Sequence, residues 1–124
     1  IYKDIYTIIN DISKEHKTVI LDCVTLLVNN LMFTYEIDID NSTQDEINEL
    51  EKYIKEQVEK LLIEIKKTNL YFVIVTNELG LGGVSINKLT RIYTDIIGRI
   101  NQQIATHSDE VYFVVSGIPM KIKG

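Results

Sequence analysis

The chain has 124 residues, of which 45% are apolar and 25% charged, the size and balance of a single folded domain rather than a disordered chain. Its formal net charge of −5 argues against sequence-independent nucleic-acid binding, because cationic side chains must displace counterions from phosphates. No apolar run approaches the ~20 residues of a membrane span. The single cysteine, Cys23, excludes an internal disulfide and predicts a small buried side chain in a reducing, cytoplasmic compartment.

The first elements in chain order are predicted to be a helix, a strand and a second helix. Isoleucines recur at helical spacing over residues 1–13, and because this pattern begins at Ile1, where no initiator methionine stands, we expect a piece of a longer protein. Residues 18–21 are apolar and β-branched at three of four positions, which predicts a strand covered on both faces and ending at Asp22. Residues 24–33 are typical of a buried helix, although a second strand also fits their pattern.

A long amphipathic helix is predicted after the acidic, irregular segment 34–43. Ser42 and Thr43 each have an acidic residue three positions later, so either could cap this helix. One face carries an apolar stripe, and the opposite face consists of Glu and Lys. The stripe is Ile47, Leu50, Ile54, Val58, Leu61, Leu62 and Ile65.

The second half of the chain continues the alternation of strands and helices. Residues 70–75 predict a strand, and the glycine-rich loop 80–83 leads to a third helix with an apolar stripe from Leu89 to Ile104. Residues 110–115 predict a last clear strand, and residues 120–123 a short edge strand. Helices that alternate with apolar strands predict an α/β domain with a parallel sheet.

A candidate ligand site lies where the predicted strands end, because ligands of open parallel sheets bind beyond the carboxyl ends of the strands. Asp22 follows four apolar residues and has the form of a Walker-B carboxylate, which would hold Mg²⁺ beside nucleotide phosphates directly or through water. A simple N-cap for the next helix is the structural alternative. The chain contains no GxxxxGK[ST] phosphate loop, and the glycines at 80–83 lack the Lys-Ser/Thr that would complete one.

Two blocks of the sequence resemble the adenosylcobinamide kinase/adenosylcobinamide-phosphate guanylyltransferase family. The first is similar to the Walker-B block of that family and reads Val19-Ile20-Leu21-Asp22-Cys23-Val24-Thr25-Leu26, with Asn30-Leu31. The second reads Val75-Thr76-Asn77-Glu78-Leu79-Gly80-Leu81-Gly82, with Asn87, Leu89, Arg91, Asp95, Gly98-Arg99, Asn101-Gln102, Ala105, Asp109-Glu110-Val111, Val114-Val115-Ser116-Gly117-Ile118 and Lys121-Ile122-Lys123. The match leaves out mainly the acidic segment and the helix after it.

The resemblance implies a three-layer, RecA-like P-loop fold with helices on both faces of a parallel sheet, usually assembled as a trimer. It also implies an enzyme of cobalamin biosynthesis that uses ATP or GTP with Mg²⁺. Such an enzyme phosphorylates adenosylcobinamide and then transfers GMP from GTP to adenosylcobinamide phosphate through a guanylylated histidine. Asp22 matches the acidic nucleotide- and metal-binding position of the family, whereas Thr25, Asn77 and Glu78 match motif positions near strand ends.

The resemblance does not supply every part of that enzyme. The family's P-loop, its first strands and its guanylylated histidine match nothing in this sequence, and neither His16 nor His107 takes that place, so no catalytic residue is assigned. We therefore expect residues 1–124 to form one partial domain, the C-terminal portion of the enzyme, which is inactive alone. A non-catalytic α/β interaction module that assembles with a separate chain is the alternative, and another P-loop kinase sharing the Asp22 block is a weaker one.

The absent P-loop strand predicts a structural gap. In the strand order of the family it lies between the strands at 70–75 and 110–115, so both would otherwise present unpaired backbone groups along an apolar edge. We expect the isolated chain to rearrange, to pair with another copy or to exchange an element.

Overall fold

A computed structural model describes residues 18–35, 38, 41–68, 70–77 and 88–124. Its elements are β1 (Thr18–Asp22), α1 (Val24–Tyr35), α2 (Gln44–Lys66), β2 (Tyr71–Val75), α3 (Lys88–His107), β3 (Val111–Val115) and β4 (Ile118–Lys123). The helix predicted at 1–13 and the glycine loop at 80–83 lie outside the described residues. Of the two structures considered for 24–33, the helix is confirmed.

The described strands form two separate two-stranded sheets. β1 and β2 pair in parallel, with Asp22 opposite Val75 at their carboxyl ends, as the alternation of elements predicts. β3 pairs antiparallel with β4 across a turn at Ser116 and Gly117, both of which have positive φ. The single parallel sheet expected from the sequence is therefore not seen in this part of the chain, because a tight turn gives β3 a partner next to it in sequence.

The hydrophobic core lies between the three helices and the inner face of the parallel sheet. α1 packs against α2, and α2 against α3. The α2 stripe is buried as predicted, with Ile65 only partly covered, whereas Leu89 at the start of α3 is exposed. The buried cluster is Leu21, Val24, Leu27, Val28, Leu31, Leu50, Ile54, Val58, Leu61, Leu62, Ile96, Ile97, Ile100 and Ile104.

Among the described residues, other elements cover only one of the two faces of the parallel sheet. Side chains alternate along a strand, so Leu21 points into the core while Ile20 remains 65% exposed. The same alternation leaves Tyr71 of β2 at 65% exposure. The expectation that the first strand is covered on both faces is therefore wrong for the part of the chain that the structure describes. Cys23, expected to be buried, is half-buried and free.

The N-terminus of α2 is fixed by Thr43 rather than by Ser42. The Thr43 hydroxyl oxygen accepts a hydrogen bond from the Glu46 backbone N–H at 3.2 Å, and Glu46 Oε1 accepts one from the Thr43 N–H at 3.4 Å. This reciprocal pair is a capping box. The Ser42 hydroxyl donates instead to the Asp38 carbonyl oxygen. None of the helices in the described ranges is long and apolar enough to cross a membrane.

Candidate functional site at the carboxyl ends of the parallel strands

Asp22 lies at the carboxyl end of β1 and its side chain is exposed. Because β1 and β2 run in parallel, Asp22 is level with Val75, and Thr76 and Asn77 follow at the same end of the sheet. The peptide bond from Asp22 to Cys23 is cis. Within the described residues the Asp22 carboxylate has no hydrogen bond or ion pair, so it is available to a ligand.

A set of hydrogen bonds connects this end of the sheet to two helices. The Asn77 side-chain amide donates to the Thr25 hydroxyl oxygen in the first turn of α1 at 3.4 Å. The second helix is α3, whose Asn101 donates from Nδ2 to the Asn77 carbonyl oxygen at 3.1 Å. The Asn101 Oδ1 accepts a hydrogen bond from the Thr76 hydroxyl at 2.7 Å. We call Asp22, Thr25, Thr76, Asn77 and Asn101 the carboxyl edge.

Tyr93 of α3 also binds a residue of the carboxyl edge. Its hydroxyl donates to the Thr25 carbonyl oxygen at 2.9 Å. Burial, with a smaller contribution from the nearby Cys23, raises the pKa of Tyr93 above its ordinary value. The first turn of α1 is thus held both through its backbone, by Tyr93, and through its hydroxyl, by Asn77.

The structure brings most of the predicted site residues together. Asp22, Thr25 and Asn77 lie at one edge, whereas Glu78 lies outside the described residues. Sequence reasoning placed Asn101 in a family motif but gave it no role, and it gave none to Tyr93. The available signal was helical spacing: Tyr93, Ile97 and Asn101 recur every four residues along α3 and so lie on one face.

The carboxyl edge suits a magnesium ion that arrives with a nucleotide. No group of three or more His, Cys, Asp or Glu side chains that could hold a metal occurs among the described residues. Mg²⁺ at nucleotide sites needs only one or two carboxylates, since phosphates and water supply its other ligands. A single exposed carboxylate such as Asp22 fits that chemistry, directly or through water, but does not fit a resident all-protein metal centre.

The charged groove between α2 and α3 is a separate feature. It has a volume of about 520 Å³ and contains none of the carboxyl-edge residues. Glu51, which lines the groove, accepts two hydrogen bonds from Arg99 at 2.8 and 2.5 Å. His107 lies 3.2 Å from Glu59, a contact between surface side chains of the two helices. The pairs Arg99–Glu51 and His107–Glu59 join α2 to α3, whereas Lys55–Glu51 lies within α2.

The comparison with known families matches the residues that form the carboxyl edge. A sequence model described as cobinamide kinase / cobinamide phosphate guanyltransferase matches residues 1–122. The chain belongs to this family. This membership confirms the resemblance found in the Asp22 block and in the motif that begins at Val75.

Relatives with curated names agree with this family membership. The chain is 41% identical, over 87% of its length, to the bifunctional adenosylcobalamin biosynthesis protein CobU of Escherichia coli (strain K12), and covers 59% of that protein. It is 39% identical over 85% of its length to the CobU of Salmonella typhimurium, covering 58% of it. It is 32% identical over 87% of its length to the bifunctional adenosylcobalamin biosynthesis protein CobP of Pseudomonas aeruginosa, covering 54%. The chain thus spans less than two thirds of the length of each of these relatives.

Proposed function

We propose that this chain provides the Walker-B wall of the nucleotide site in an enzyme of cobalamin biosynthesis. The enzyme phosphorylates adenosylcobinamide with ATP or GTP and then transfers GMP from GTP to adenosylcobinamide phosphate. The observation that carries the proposal is the exposed carboxylate of Asp22, without a partner among the described residues, at the carboxyl ends of parallel strands with Thr25 and Asn77. Family membership and the printed names of the relatives support the choice of pathway.

Each residue of the edge has a distinct task in this proposal. Bound Mg²⁺ would neutralise and orient the phosphates, and Asp22 would hold it or one of its water ligands. The Thr25 hydroxyl already accepts a hydrogen bond from Asn77, so its own hydrogen remains to be donated to a phosphate oxygen or to a water. The backbone positions of Thr25 and Asn77 are held by α3, which reduces the ordering cost of binding.

The finer architecture also belongs to the proposal. In a three-layer RecA-like fold, a P-loop strand would lie between β2 and β3. By the family pattern the enzyme would assemble as a trimer, and it would work in the cytoplasm. Residues 1–124 contain no GxxxxGK[ST], and without the backbone N–H groups and lysine of that loop little remains to bind a triphosphate. The isolated chain of residues 1–124, treated as one partial domain, is therefore inactive.

The test is removal of the Asp22 charge in the natural protein that carries these residues. Asp22→Asn keeps the shape of the side chain and, being exposed, leaves the core untouched. We expect kcat/KM for adenosylcobinamide phosphorylation, measured with saturating Mg²⁺, to fall about 10- to 100-fold. Glu49→Gln is the matched control, because Glu49 is an exposed carboxylate on α2 outside the carboxyl edge.

Three results would contradict this proposal. An Asp22→Asn protein as active as Glu49→Gln would remove Asp22 from the site. If the wild-type protein binds Mg–GTP but does not phosphorylate adenosylcobinamide, the proposed substrate is wrong. Micromolar GTP affinity of residues 1–124 alone, measured by calorimetry, would show that the isolated chain is not the incomplete site proposed here.

A further inference from the structure

Asn101 makes two hydrogen bonds with the segment that follows β2. Its Oδ1 accepts from the Thr76 hydroxyl at 2.7 Å, and its Nδ2 donates to the Asn77 carbonyl oxygen at 3.1 Å. The two contacts use the acceptor and the donor of one amide group, which an aliphatic side chain of the same size cannot reproduce. Asn101 is itself half-buried and lies in the C-terminal half of α3.

These contacts place Asn77 between two helices. Its backbone carbonyl is held by Asn101 of α3, while its side chain donates to Thr25 of α1 at 3.4 Å. Thr25 lies three residues after Asp22 in the sequence. The hydrogen bonds therefore run from α3 through Asn77 to Thr25 in the first turn of α1.

Of the segments joined by these hydrogen bonds, the helix that carries Asn101 is packed most firmly into the core. Ile96, Ile97 and Ile100, immediately before it, are fully buried, so α3 cannot shift without disturbing the core. Thr76 and Asn77, the described residues that follow β2, are exposed and have no regular secondary structure. A side chain on the rigid helix can hold such a segment in one position, whereas the reverse is not physically reasonable.

We propose that Asn101 is a positioning residue of the nucleotide site, which fixes Asn77, and through it Thr25, in the arrangement that binds phosphate. This rests on the proposed function of the carboxyl edge. Asn101 does not itself touch the nucleotide or the metal in this proposal. Of its two contacts, the one to the Asn77 carbonyl matters more, because it holds the backbone from which the Asn77 side chain reaches Thr25.

The experiment compares variants of the natural protein that carries these residues, with Asp22→Asn as the reference. Asn101→Leu keeps the volume but loses both hydrogen bonds, and we expect kcat/KM for the nucleotide to fall about tenfold, as for loss of one well-placed hydrogen bond. Thr76→Val removes only the hydroxyl contact and is expected to cost less than about threefold. Gln102→Leu is the control, because Gln102 is an exposed amide on the same helix with no side-chain hydrogen bond to a described residue.

Two further measurements separate positioning from mere stability. Thermal unfolding should show similar melting temperatures for Asn101→Leu and Gln102→Leu, with kcat/KM expressed per folded protein. Hydrogen–deuterium exchange should rise at residues 76–77 in Asn101→Leu while the buried turn at 96–100 stays protected.

The outcomes are distinct. If Asp22→Asn is impaired and Asn101→Leu behaves as Gln102→Leu, the positioning role is refuted while the proposed function stands. Loss of activity in Asn101→Leu explained entirely by unfolding, or an equal loss in Thr76→Val, also refutes it. If the wild-type protein has no nucleotide-dependent activity, or Asp22→Asn has no effect, the proposed function and the inference resting on it fall together.

Discussion

The ion pair between Glu51 and Arg99 gives a prediction that can be worked out from the geometry. Arg99 Nε and Nη2 donate to the two Glu51 carboxylate oxygens at 2.8 and 2.5 Å, and they join α2 to α3. The Glu51 side chain is only 17% exposed, whereas Arg99 is 47% exposed. Arg99 belongs to the motif shared with the family. Measuring the strength of its ion pair therefore also shows whether this motif residue stabilises the fold.

The expected strength lies near the upper end for exposed pairs. Exposed ion pairs contribute about 0.2–1 kcal/mol, and the two parallel bonds together with the shielded glutamate favour the higher value. We therefore expect a coupling free energy of about 1 kcal/mol from a double-mutant cycle of Glu51→Gln and Arg99→Gln. The pair Glu64–Lys67 at the C-terminal end of α2, where Lys67 is the C-cap residue and is 64% exposed, is the control, and about 0.5 kcal/mol or less is expected there.

The pH dependence has a definite sign. Burial by itself raises the pKa of Glu51, but the hydrogen bond and charge of Arg99, followed by those of Lys55, outweigh it and hold the pKa below its ordinary 4.5. A carboxyl group whose pKa is lower in the folded state stabilises the fold above its unfolded pKa. That stabilisation is lost as the pH falls through 4.5 and then through the lower folded value.

Urea unfolding of the four proteins of the cycle, at neutral pH and again near pH 3, provides the measurement. The coupling should be constant at neutral pH and above, should shrink on acidification, and should weaken in about 1 M salt, where the Debye length is about 3 Å. A coupling below about 0.2 kcal/mol at neutral pH, the bottom of the range for exposed pairs, would refute the reasoning. So would one that survives unchanged in acid.

Two stability predictions follow from the cap and the core, both measured by urea unfolding. Thr43→Ala should cost about 1 kcal/mol through loss of the capping box, and Ser42→Ala clearly less; equal losses would contradict the assignment of Thr43 as the cap. Leu50→Ala, at a fully buried position, should cost about 2–5 kcal/mol. Ile63→Ala on the same helix, where the side chain is 45% exposed, should cost about 0.5 kcal/mol or less, and a comparable loss at both sites would contradict the packing described.

Local patterns predicted the apolar stripes of the helices but not every local choice. The stripe on α2 depends on residues three and four apart, a spacing fixed by helix geometry, whereas Ser42 and Thr43 both fit the cap pattern and the structure selects Thr43. The family blocks around Asp22 and Asn77 were likewise visible in the sequence. Leu89 shows the limit, because it fits the α3 stripe by spacing and yet is 47% exposed.

The pairing of the strands could not be predicted in the same way. Period-two alternation indicates a strand but does not name its neighbour, since backbone hydrogen bonds are the same for every residue type. β3 accordingly pairs with β4, and Ile20 is exposed although its sequence context suits a strand covered on both faces.

The sequence by itself indicated the helical stripes, the strand segments, the family and Asp22 as a candidate site residue, because each depends on neighbours along the chain. Only the tertiary structure decided that Asn101 donates to the Asn77 carbonyl oxygen and that Arg99 binds Glu51. Those partners lie 24 and 48 positions away in sequence. No periodicity specifies contacts of that range; they follow from the way α3 packs against the sheet and against α2.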